Sequence, residues 1–470
     1  MDIFNLQSQY HDKIALITEC DEIISYGQLN SYVDKIKTNI KAKSLVLILA
    51  SNNVETVAFY LATFMADSAV ILSSESINVQ SLIELYRPRY IVKRKNTTDL
   101  FKGYEVLYNF LNYELLETNV DYEIDSGIAL LLSTSGSTGN PKCVKITWEN
   151  LLENTKSIIE CLEIRNTDIT ITTLPFNYTY GLSIINTHLF IGATIILCNH
   201  SVAEKRFWNI FLRYKANNFG GVPYTYEVLL KLNLINKKNM RNVRYLTQAG
   251  GKLDIIKIRE MLNFAHMYDF KFLVMYGQTE ATARMSYLPW EYSAQKIGSI
   301  GVPIKGGCFE IHDDNGIRID KPYIKGELIY KGPNVSRGYS NDYKDLLIDT
   351  DDFNHTLCTG DIAYFDDDEF YYIVGRKRNF IKICGKRISL QDIEEILKTL
   401  KYNLIFSGID DQLYILVNDK YSAEIENTIF YVLKEKANIY KKSVTIFFVD
   451  EFPRNEFGKI LYDVSKWIQK

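Results

Sequence analysis

The stretch STSGSTGNPK (133–142) joins small hydroxyl residues and two glycines to a proline and a lysine. Gly136 and Gly139 let the backbone turn so that successive N–H groups point into one concavity, which suits phosphate oxygens. Lys142 adds a positive charge, and three side chains add hydroxyl donors: Ser135, Ser137 and Thr138. The Walker pattern is not met, because the lysine does not directly follow the second glycine. Taken alone, the stretch fits two interpretations equally well: a loop that grips pyrophosphate, or a solvated turn after the apolar run GIALLLS (127–133).

Short apolar runs alternate with longer amphipathic stretches on both sides of this loop. Strands are predicted for SLVLILA (44–50), ATIILC (193–198) and FLVMYG (272–277). The stretch ENLLENTKSIIECLEI (149–164) has the spacing of an amphipathic helix. The alternation predicts βα units with a mainly parallel sheet, and hence an α/β fold.

The character of the sequence changes twice toward its C-terminal part. From about residue 298 to residue 375, closely spaced glycines and short apolar runs predict a small, mainly antiparallel β unit. Near residue 375 the acidic segment 349–370 gives way to the basic segment 375–389, which predicts a domain boundary. We therefore expect a large N-terminal domain of βα subdomains plus the β unit (1–375) and a small C-terminal domain (376–470).

The composition argues against several classes of protein. The 470 residues, 47% of them hydrophobic, are enough for more than one packed unit. Lys and Arg number 54 against 57 Asp and Glu, so the net charge of −3 gives no overall attraction to nucleic acid or to an anionic membrane. The seven cysteines are scattered and never spaced as CxxC, which argues against a disulfide framework and a zinc site. We see no signal peptide and no membrane span, and expect a cytoplasmic protein.

Further motifs follow the loop along the chain. The main ones are YGQTEAT (276–282), TGD (359–361), GR (375–376), KICGKRISLQDIEE (382–395) and PRNEFGKI (453–460). Weaker matches are ISYGQL (24–29), LPFNYTYGLS (174–183) and TQAGGKL (247–253). Together with STSGSTGNPK, this series resembles the signatures of the adenylate-forming superfamily, which includes acyl-CoA synthetases, adenylation domains of peptide synthetases and luciferases. The resemblance runs from about residue 10 to residue 462.

The resemblance implies an ATP- and Mg²⁺-dependent ligase acting on a small carboxylic acid. Such an enzyme forms an acyl-adenylate with release of pyrophosphate and then passes the acyl group to a thiol, giving a thioester. The thiol would belong to coenzyme A or to the pantetheine of a separate carrier protein, because no carrier-domain serine motif follows Lys459. The resemblance also implies that the small C-terminal domain has an α+β fold and is mobile, turning between the two half-reactions.

By the same resemblance, most motif residues bind the nucleotide. The β- and γ-phosphates would be held by Thr134, Ser135, Gly136, Ser137, Thr138, Gly139 and Lys142. Asp361 is suited to accept hydrogen bonds from the ribose hydroxyls, and Arg376 would bind the same sugar. Tyr276 would stack on adenine. Three glycines complete the nucleotide set: Gly250, Gly251 and Gly277.

Catalysis is expected from Lys142, Glu280 and Lys459. Glu280 is a hard oxygen ligand for Mg²⁺, with Thr279 beside it as a phosphate donor. Lys459 would stabilise the charge that builds on the α-phosphate in the transition state. The family pattern further places Lys382 and Gly385 on the path of the thiol and Arg378 at the hinge.

The acyl pocket is expected to be lined by Tyr178, Gly181, Val222, Pro223 and Tyr224. Their bulk predicts an aromatic, medium-sized pocket rather than a long alkyl tunnel. Tyr178 stands where many acyl-CoA synthetases carry a histidine. Asn177 lies where amino-acid-activating relatives use an acid to hold an α-ammonium, so an acid without an amino group is favoured.

Three other functions are weighed against this one. The chain could be an amino-acid-adenylating enzyme that loads a separate carrier protein. It could adenylate an acid and use another acceptor, or oxidise its adenylate as luciferases do. It could also be a nucleotide-binding protein that has lost catalysis, against which the presence of Lys142, Glu280, Asp361 and Lys459 argues.

Overall fold

The computed structural model describes residues 10–75, 79–95, 99–101, 103–133, 142–377, 380–383, 386–400, 402–409, 411–455, 458, 460–462, 464 and 467. Contacts between residues divide the chain into two compact units. The first comprises Met1–Phe309 and Tyr330–Leu357, and the second comprises Glu310–Ile329 and Cys358–Lys470. The second unit thus takes in much of the predicted β unit, and the predicted boundary between residues 375 and 376 stays a prediction.

The strands of the described residues are, in chain order, β1 (Ile14–Thr18), β2 (Ile23–Ser25), β3 (Leu45–Leu49), β4 (Ala69–Ser73), β5 (Tyr90–Arg94), β6 (Glu105–Phe110), β7 (Tyr113–Glu117), β8 (Ile128–Ser133), β9 (Cys143–Thr147), β10 (Ile169–Ile171), β11 (Thr194–Leu197), β12 (Asn218–Gly221), β13 (Tyr245–Gln248), β14 (Lys271–Tyr276), β15 (Ser286–Tyr287), β16 (Val302–Pro303), β17 (Cys308–His312), β18 (Gly326–Lys331), β19 (Tyr339–Ser340), β20 (Thr356–Phe365), β21 (Tyr371–Arg376), β22 (Phe380–Ile383), β23 (Lys386–Ser389), β24 (Leu404–Ile409), β25 (Gln412–Val417) and β26 (Val444–Phe448).

The α-helices of the same residues are α1 (Tyr26–Lys37), α2 (Val54–Met65), α3 (Val79–Tyr86), α4 (Trp148–Leu162), α5 (Thr179–Phe190), α6 (Lys205–Arg213), α7 (Pro223–Lys231), α8 (Lys237–Met240), α9 (Ile255–Met267), α10 (Leu390–Leu397) and α11 (Ala423–Ala437). Short 3₁₀ turns cover Asp99–Phe101, Thr279–Ala281, Trp290–Tyr292, Tyr343–Leu346, Lys398–Leu400 and Lys441–Ser443.

Two large sheets organise the first unit. One has the strand order β16-β15-β14-β13-β12-β10-β11-β1-β2, and its strands from β14 to β1 pair in parallel. The other has the order β19-β9-β8-β4-β3-β5-β7-β6 and is parallel from β8 to β5. The three predicted apolar runs form β3, β11 and β14, and the predicted amphipathic helix forms α4. The predicted α/β fold is therefore confirmed.

The apolar runs become strands because both faces of these sheets are covered. Every residue of β3 and of β4 is buried. A strand buried on both faces needs a continuous apolar sequence rather than alternation. The hydrophobic core of the first unit accordingly packs around these central strands and helix α2.

Helix α4 carries the asparagines that hold later segments in place. It begins with a capping box, in which the Thr147 hydroxyl accepts from the Asn150 N–H and the Asn150 side chain accepts from the Thr147 N–H. The Asn150 amide also donates to the carbonyls of Pro333 and Val335. One turn later, Asn154 donates to the carbonyl of Arg284 at 2.8 Å. The start of α4 therefore fixes two distant segments of the same unit.

The second unit is an α+β structure of its own. Strands β17, β18, β20 and β21 form one sheet, β22 and β23 a hairpin, and β24, β25 and β26 a further sheet. Helices α10 and α11 contact each other, and buried residues of both join the same apolar cluster as β25. In the described residues, no helix of either unit is both long enough and apolar enough to cross a membrane.

Candidate active site

Several predicted site residues lie outside the described residues. They are Thr134, Ser135, Gly136, Ser137, Thr138, Gly139, Arg378, Gly385 and Lys459. Lys382 lies on β22, where it is paired in register with Arg387 of β23. The roles assigned to these residues stay predictions.

The strands that flank the motif loop are described and are paired with each other. Ser133, the last residue of β8, lies opposite Cys143, the first residue of β9. The residues on both sides of the loop are therefore held together in an antiparallel ladder. Cys143 is buried, and its N–H donates to the Tyr86 hydroxyl at 3.1 Å.

Lys142, at the end of this loop, lies next to an aromatic ring. Its Nζ lies 3.9 Å from the centroid of the Tyr339 ring, a cation–π distance. Tyr339 opens β19, which pairs with β9 directly after Lys142. The pairing of the short strand β19 with β9 thus places the Tyr339 ring beside Lys142.

The same tyrosine reaches Glu280. Its hydroxyl donates to Glu280 Oε1 at 2.8 Å, and the Glu280 carbonyl accepts from the Ser336 N–H at 2.9 Å. A predicted phosphate-binding cation and a predicted magnesium ligand therefore both contact one tyrosine. We call Lys142, Tyr339 and Glu280 the tyrosine-linked set.

The turn that carries Glu280 is tightly constrained. Gly277 has no room for a side chain, since an added Cβ would lie 1.8 Å from the Ala283 carbonyl oxygen. Thr282 adopts φ +66°, a left-handed conformation that is rare for a β-branched residue. Its hydroxyl donates to the Asn334 carbonyl at 2.7 Å, and the Asn334 amide donates to the carbonyls of Ala281 and Arg284. The strained turn is therefore fixed from one side by Asn334.

Thr279 lies in the same 3₁₀ turn as Glu280. Its hydroxyl is 3.0 Å from that of Thr179, the first residue of α5. The turn after β14 is therefore linked to the helix that carries the second half of the LPFNYTYGLS motif.

Tyr276 ends β14, within the run 272–277 for which the sequence predicts a strand. Its ring is half-buried, and its centroid lies 6.4 Å from that of Phe309. The Tyr276 hydroxyl accepts a hydrogen bond from the Gln278 side chain at 3.2 Å. Stacking on adenine stays a prediction for this ring.

The predicted acyl-pocket residues lie around Gly250 and Gly251. Gly250 has φ +81°, and an added Cβ would lie 2.4 Å from the Tyr178 hydroxyl and 3.2 Å from a Val222 methyl group. An added Cβ on Gly251 would lie 3.2 Å from Pro223. The structure thus brings Tyr178, Val222 and Pro223 together beside the two glycines.

The other two predicted pocket residues are placed differently. Gly181 lies in the first turn of α5, where an added Cβ would meet the Pro175 carbonyl oxygen at 2.4 Å. Tyr224 lies in the first turn of α7 and is 42% exposed, so it is not buried with Tyr178 and Val222. Their contact with an acyl group stays a prediction.

Asp361 and Arg376, the predicted ribose pair, are neighbours in the second unit. They lie opposite each other on β20 and β21, and Arg376 Nε donates to Asp361 Oδ1 at 2.8 Å. Asp361 is only 3% exposed, while the Arg376 side chain is largely in solvent. The Asp361 N–H donates to the Thr359 hydroxyl at 3.0 Å, which fixes the TGD turn. The two residues that the motifs assigned to one sugar therefore meet in the fold.

Two further residues, both in the first unit, are not identified from the sequence. Tyr339 lies in GPNVSRGY (332–339), a segment that the sequence places only in a β unit. Arg284 follows the YGQTEAT motif and is buried at 3% exposure. The sequence feature that could have pointed to Arg284 is that it is the single charged residue in the run ATARMSYL (281–288).

Known proteins match this chain over most of its length. The family model for "AMP-binding enzyme" matches residues 4–340. A 2-succinylbenzoate–CoA ligase of Bacillus pumilus (strain SAFR-032) is 25% identical over 472 residues, covering 96% of this chain and 94% of the relative. An oxalate–CoA ligase of Arabidopsis thaliana is 24% identical over 501 residues, covering 97% of this chain and 95% of the relative. The predicted class, an AMP-forming acid–thiol ligase, is confirmed by these relatives.

Solved structures show the same fold. An o-succinylbenzoate CoA synthetase from Bacillus subtilis superposes with a TM-score of 0.78 in its complex with the acyl-adenylate intermediate, at 21% identity over 98% of this chain and 96% of that chain. Its complex with ATP and a magnesium ion gives a TM-score of 0.76 at 22% identity, over 98% of each chain. The resemblance seen in the motifs is therefore confirmed by the fold and by the family model. This chain belongs to the AMP-binding enzyme family.

Proposed function

We propose that this chain joins a small carboxylic acid to coenzyme A at the expense of ATP. A carboxylate oxygen attacks the α-phosphorus, the bond to the bridging oxygen breaks, and pyrophosphate leaves. The sulfur of the thiol then attacks the acyl carbon of the adenylate, and AMP leaves as the thioester forms. The observation that carries the proposal is the tyrosine-linked set, which joins a lysine from the predicted phosphate loop to the carboxylate of the YGQTE motif.

The residues of the first unit fit the charges of a triphosphate. Lys142 is exposed at the end of the loop, so its ammonium can reach phosphate oxygens from there. Its cation–π contact with Tyr339 leaves the charge available, because a ring does not neutralise a cation as a carboxylate does. We assign Lys142 to the leaving pyrophosphate, whose negative charge grows as the bond breaks.

Glu280 fits the donor set expected for Mg²⁺. Within the described residues there is no cluster of three or more His, Cys, Asp or Glu side chains that could hold a metal by itself. Mg²⁺ commonly takes one or two protein carboxylates and completes its shell with phosphate oxygens and water. A single carboxylate oriented by Tyr339 suits that mode, so Glu280 would hold the ion. When bound, Mg²⁺ neutralises charge on the phosphate oxygens.

The remaining roles follow the motifs residue by residue. Asp361 would accept from the ribose hydroxyls, with Arg376 fixing the carboxylate through its Nε hydrogen bond. Tyr178, Val222 and Pro223 would shape the acyl site beside Gly250 and Gly251. Lys459 would stabilise the charge on the attacked α-phosphate, and Gly385 would line the thiol path.

We favour coenzyme A as the acceptor, because the relatives that this chain matches over nearly their whole length are named CoA ligases. The test is an incubation of the purified protein with ATP, Mg²⁺, coenzyme A and a panel of acids that includes 2-succinylbenzoate and oxalate. We expect a coenzyme A thioester that depends on the acid, in equal amount to the AMP formed. Thioester formation with a pantetheinylated carrier protein and none with coenzyme A would assign the acceptor to a carrier instead. Acyl-AMP without any thioester, with either thiol, would contradict the ligase.

A further inference from the structure

Arg284 is a cation held inside the first unit, where no described carboxylate pairs with it. Its Cζ lies 3.8 Å from the centroid of the Tyr180 ring, and its Nε donates to the Met275 sulfur at 3.4 Å. The ion pairs of the described residues do not include Arg284. Neither an aromatic ring nor a thioether carries the negative charge that a buried guanidinium normally meets.

The groups around the guanidinium are neutral at pH 7. Those that act on it most strongly are Tyr180, Tyr178 and Cys161. Burial raises the pKa of each tyrosine and of the thiol to about 12, so none of them ionises near neutrality. Burial lowers the pKa of Arg284 itself, which reflects the cost of holding this charge away from water.

The fold holds Arg284 in this position. Its N–H donates to Asn154 Oδ1 at 3.3 Å, and its carbonyl accepts from the side-chain amides of Asn154 and Asn334. The backbone on both sides is thus tied to α4 and to the segment before β19. The inward direction of the side chain is therefore a built feature of the turn after the YGQTEAT motif.

Arg284 lines a small cavity that has other polar walls. Helix α5 and strands β12 and β13 contribute Ser183, His188, Asn218, Tyr245 and Thr247. The hydroxyl of Tyr245 is buried and has no hydrogen-bond partner in the part of the chain that the structure describes. A buried hydroxyl normally finds one, so a group that accepts from Tyr245 would complete the cavity.

Among the described residues, the carboxylate that acts on this cavity is already paired elsewhere. Asp168 influences both His188 and Tyr245 electrostatically, but it is fully engaged by another arginine. Arg244 Nε donates to Asp168 Oδ1 at 2.8 Å, and Arg244 Nη2 donates to Asp168 Oδ2 at 2.7 Å. Arg244 has a carboxylate partner, whereas the described side chains on the Arg284 guanidinium are those of Tyr180 and Met275, and this contrast indicates an external partner for Arg284.

The cavity adjoins the predicted acyl site. The Tyr180 ring, which covers the guanidinium, lies 6.3 Å from that of Tyr178 between centroids, and Tyr178 contacts the Gly250 position. The guanidinium is therefore separated by one aromatic ring from a residue that we assign to the acyl site.

We propose that the acid substrate is a dicarboxylate, whose second carboxylate pairs with Arg284 and accepts from the Tyr245 hydroxyl. The planar guanidinium offers several N–H donors in a fork that matches a carboxylate, and the pairing is strong because water is excluded. This inference rests on the proposed function, since it concerns the acid that is adenylated.

The test compares each diacid with its own monomethyl ester, which keeps one carboxylate and nearly the same shape. Succinate, glutarate and phthalate serve as the diacids, and acid-dependent pyrophosphate release is measured. For the pair that reacts fastest we expect the diacid to exceed its ester in kcat/KM by about tenfold to a hundredfold, the scale of a hydrogen-bonded charge. Esters that react as well as their diacids overturn the inference and leave adenylation standing. Formation of ADP in place of AMP and pyrophosphate overturns the proposed function itself.

Three variants locate the preference. Arg284→Met keeps the volume and removes the charge, and we expect it to lose the diacid preference while its unliganded melting temperature stays equal to the parent's or rises. Tyr245→Phe removes only the hydroxyl and should lose part of the preference. The control Arg213→Met changes an exposed arginine on α6 that pairs with Asp21, and it should keep the preference unchanged. An Arg284→Met protein that melts lower and keeps the full diacid preference would assign Arg284 a structural role instead.

Discussion

The hydroxyl of Tyr339 donates a hydrogen bond of 2.8 Å to Glu280 Oε1. The hydrogen bond joins two segments far apart in the sequence, β19 and the 3₁₀ turn after β14. It orients the carboxylate that we assign to Mg²⁺, as partners behind metal-ligating side chains commonly do. Because the Tyr339 ring also lies 3.9 Å from Lys142 Nζ, one residue positions both charges of the tyrosine-linked set.

Tyr339→Phe should therefore raise the magnesium requirement. The ring and its contact with Lys142 are kept, and only the hydrogen bond to Glu280 is lost. We expect the half-saturating Mg²⁺ concentration for pyrophosphate release to rise about tenfold or more, the scale seen when such supporting hydrogen bonds are removed. Tyr431→Phe, which removes a hydroxyl from an exposed position on α11, is the matched control. An unchanged Mg²⁺ dependence in Tyr339→Phe would separate Tyr339 from the metal.

Tyr339→Leu tests the contact between the Tyr339 ring and Lys142. It removes both the hydrogen bond to Glu280 and the ring beside Lys142. We expect a KM for ATP that is higher than in Tyr339→Phe, because the ammonium loses the surface that positions it. Equal KM values for ATP in the two variants would show that the cation–π contact does not position Lys142 for the nucleotide.

Asp361→Asn should weaken ATP binding and spare the acid. The amide keeps the shape of the side chain but has lost the charge that Arg376 and the ribose hydroxyls favour. We expect the Kd for ATP to rise about tenfold to a hundredfold, the scale of a charged hydrogen bond. Lys377→Met, which removes an exposed cation paired with Glu327 in the same unit, should leave the Kd unchanged. An Asp361→Asn protein with parental ATP affinity would remove Asp361 from the nucleotide site.

Gly277→Ala should destabilise the first unit. The new methyl group would lie 1.8 Å from the Ala283 carbonyl oxygen, and a backbone atom cannot move aside as the end of a side chain can. We expect a loss of about 3 kcal/mol or more, with a lower melting temperature. Gly316→Ala is the control, since an added Cβ there meets no atom within 4 Å and only its φ of +79° is unfavourable. Equal melting temperatures for the two variants would contradict the packing seen at Gly277.

Lys459 and Gly385 should separate the two half-reactions. Lys459→Ala should slow adenylate formation by roughly 10²- to 10³-fold with little change in ATP affinity, because its charge acts only in the transition state. The same variant should still form thioester from preformed acyl-AMP. Gly385→Trp should keep pyrophosphate release and lose thioester formation. Equal damage to the same half-reaction in both variants would contradict the two-conformation prediction.

Much of the fold follows from the sequence because its signals are local. The apolar runs that form β3 and β11 are buried along their lengths, while β14 combines buried and half-buried residues. Such short apolar runs can be recognised from the sequence itself. The family resemblance assigns Asp361 and Arg376 to one sugar, and the structure adds that their strands pair in register and that the two side chains meet.

The residues that were missed depend on long-range packing. Tyr339 meets Lys142 through β19, a strand of only two residues with no periodicity to detect. In the sequence, Arg284 looks like an exposed charged residue. It is buried because α4, α5 and β14 pack around it. Tyr224, expected in the pocket for its bulk, lies in the first turn of α7 and is 42% exposed, and its contact with an acyl group stays a prediction.

The central claim is that a substrate carboxylate attacks the α-phosphorus of ATP, and an isotope-transfer measurement tests it most directly. The purified protein is incubated with ATP, Mg²⁺, coenzyme A and an acid labelled with ¹⁸O in its carboxyl group, and the products are resolved by mass spectrometry. We predict that AMP gains one ¹⁸O for each thioester formed, because the attacking oxygen stays on phosphorus when the thiol displaces AMP. Pyrophosphate should remain unlabelled. Appearance of the label in inorganic phosphate together with ADP would place the attack on the γ-phosphorus and contradict the account.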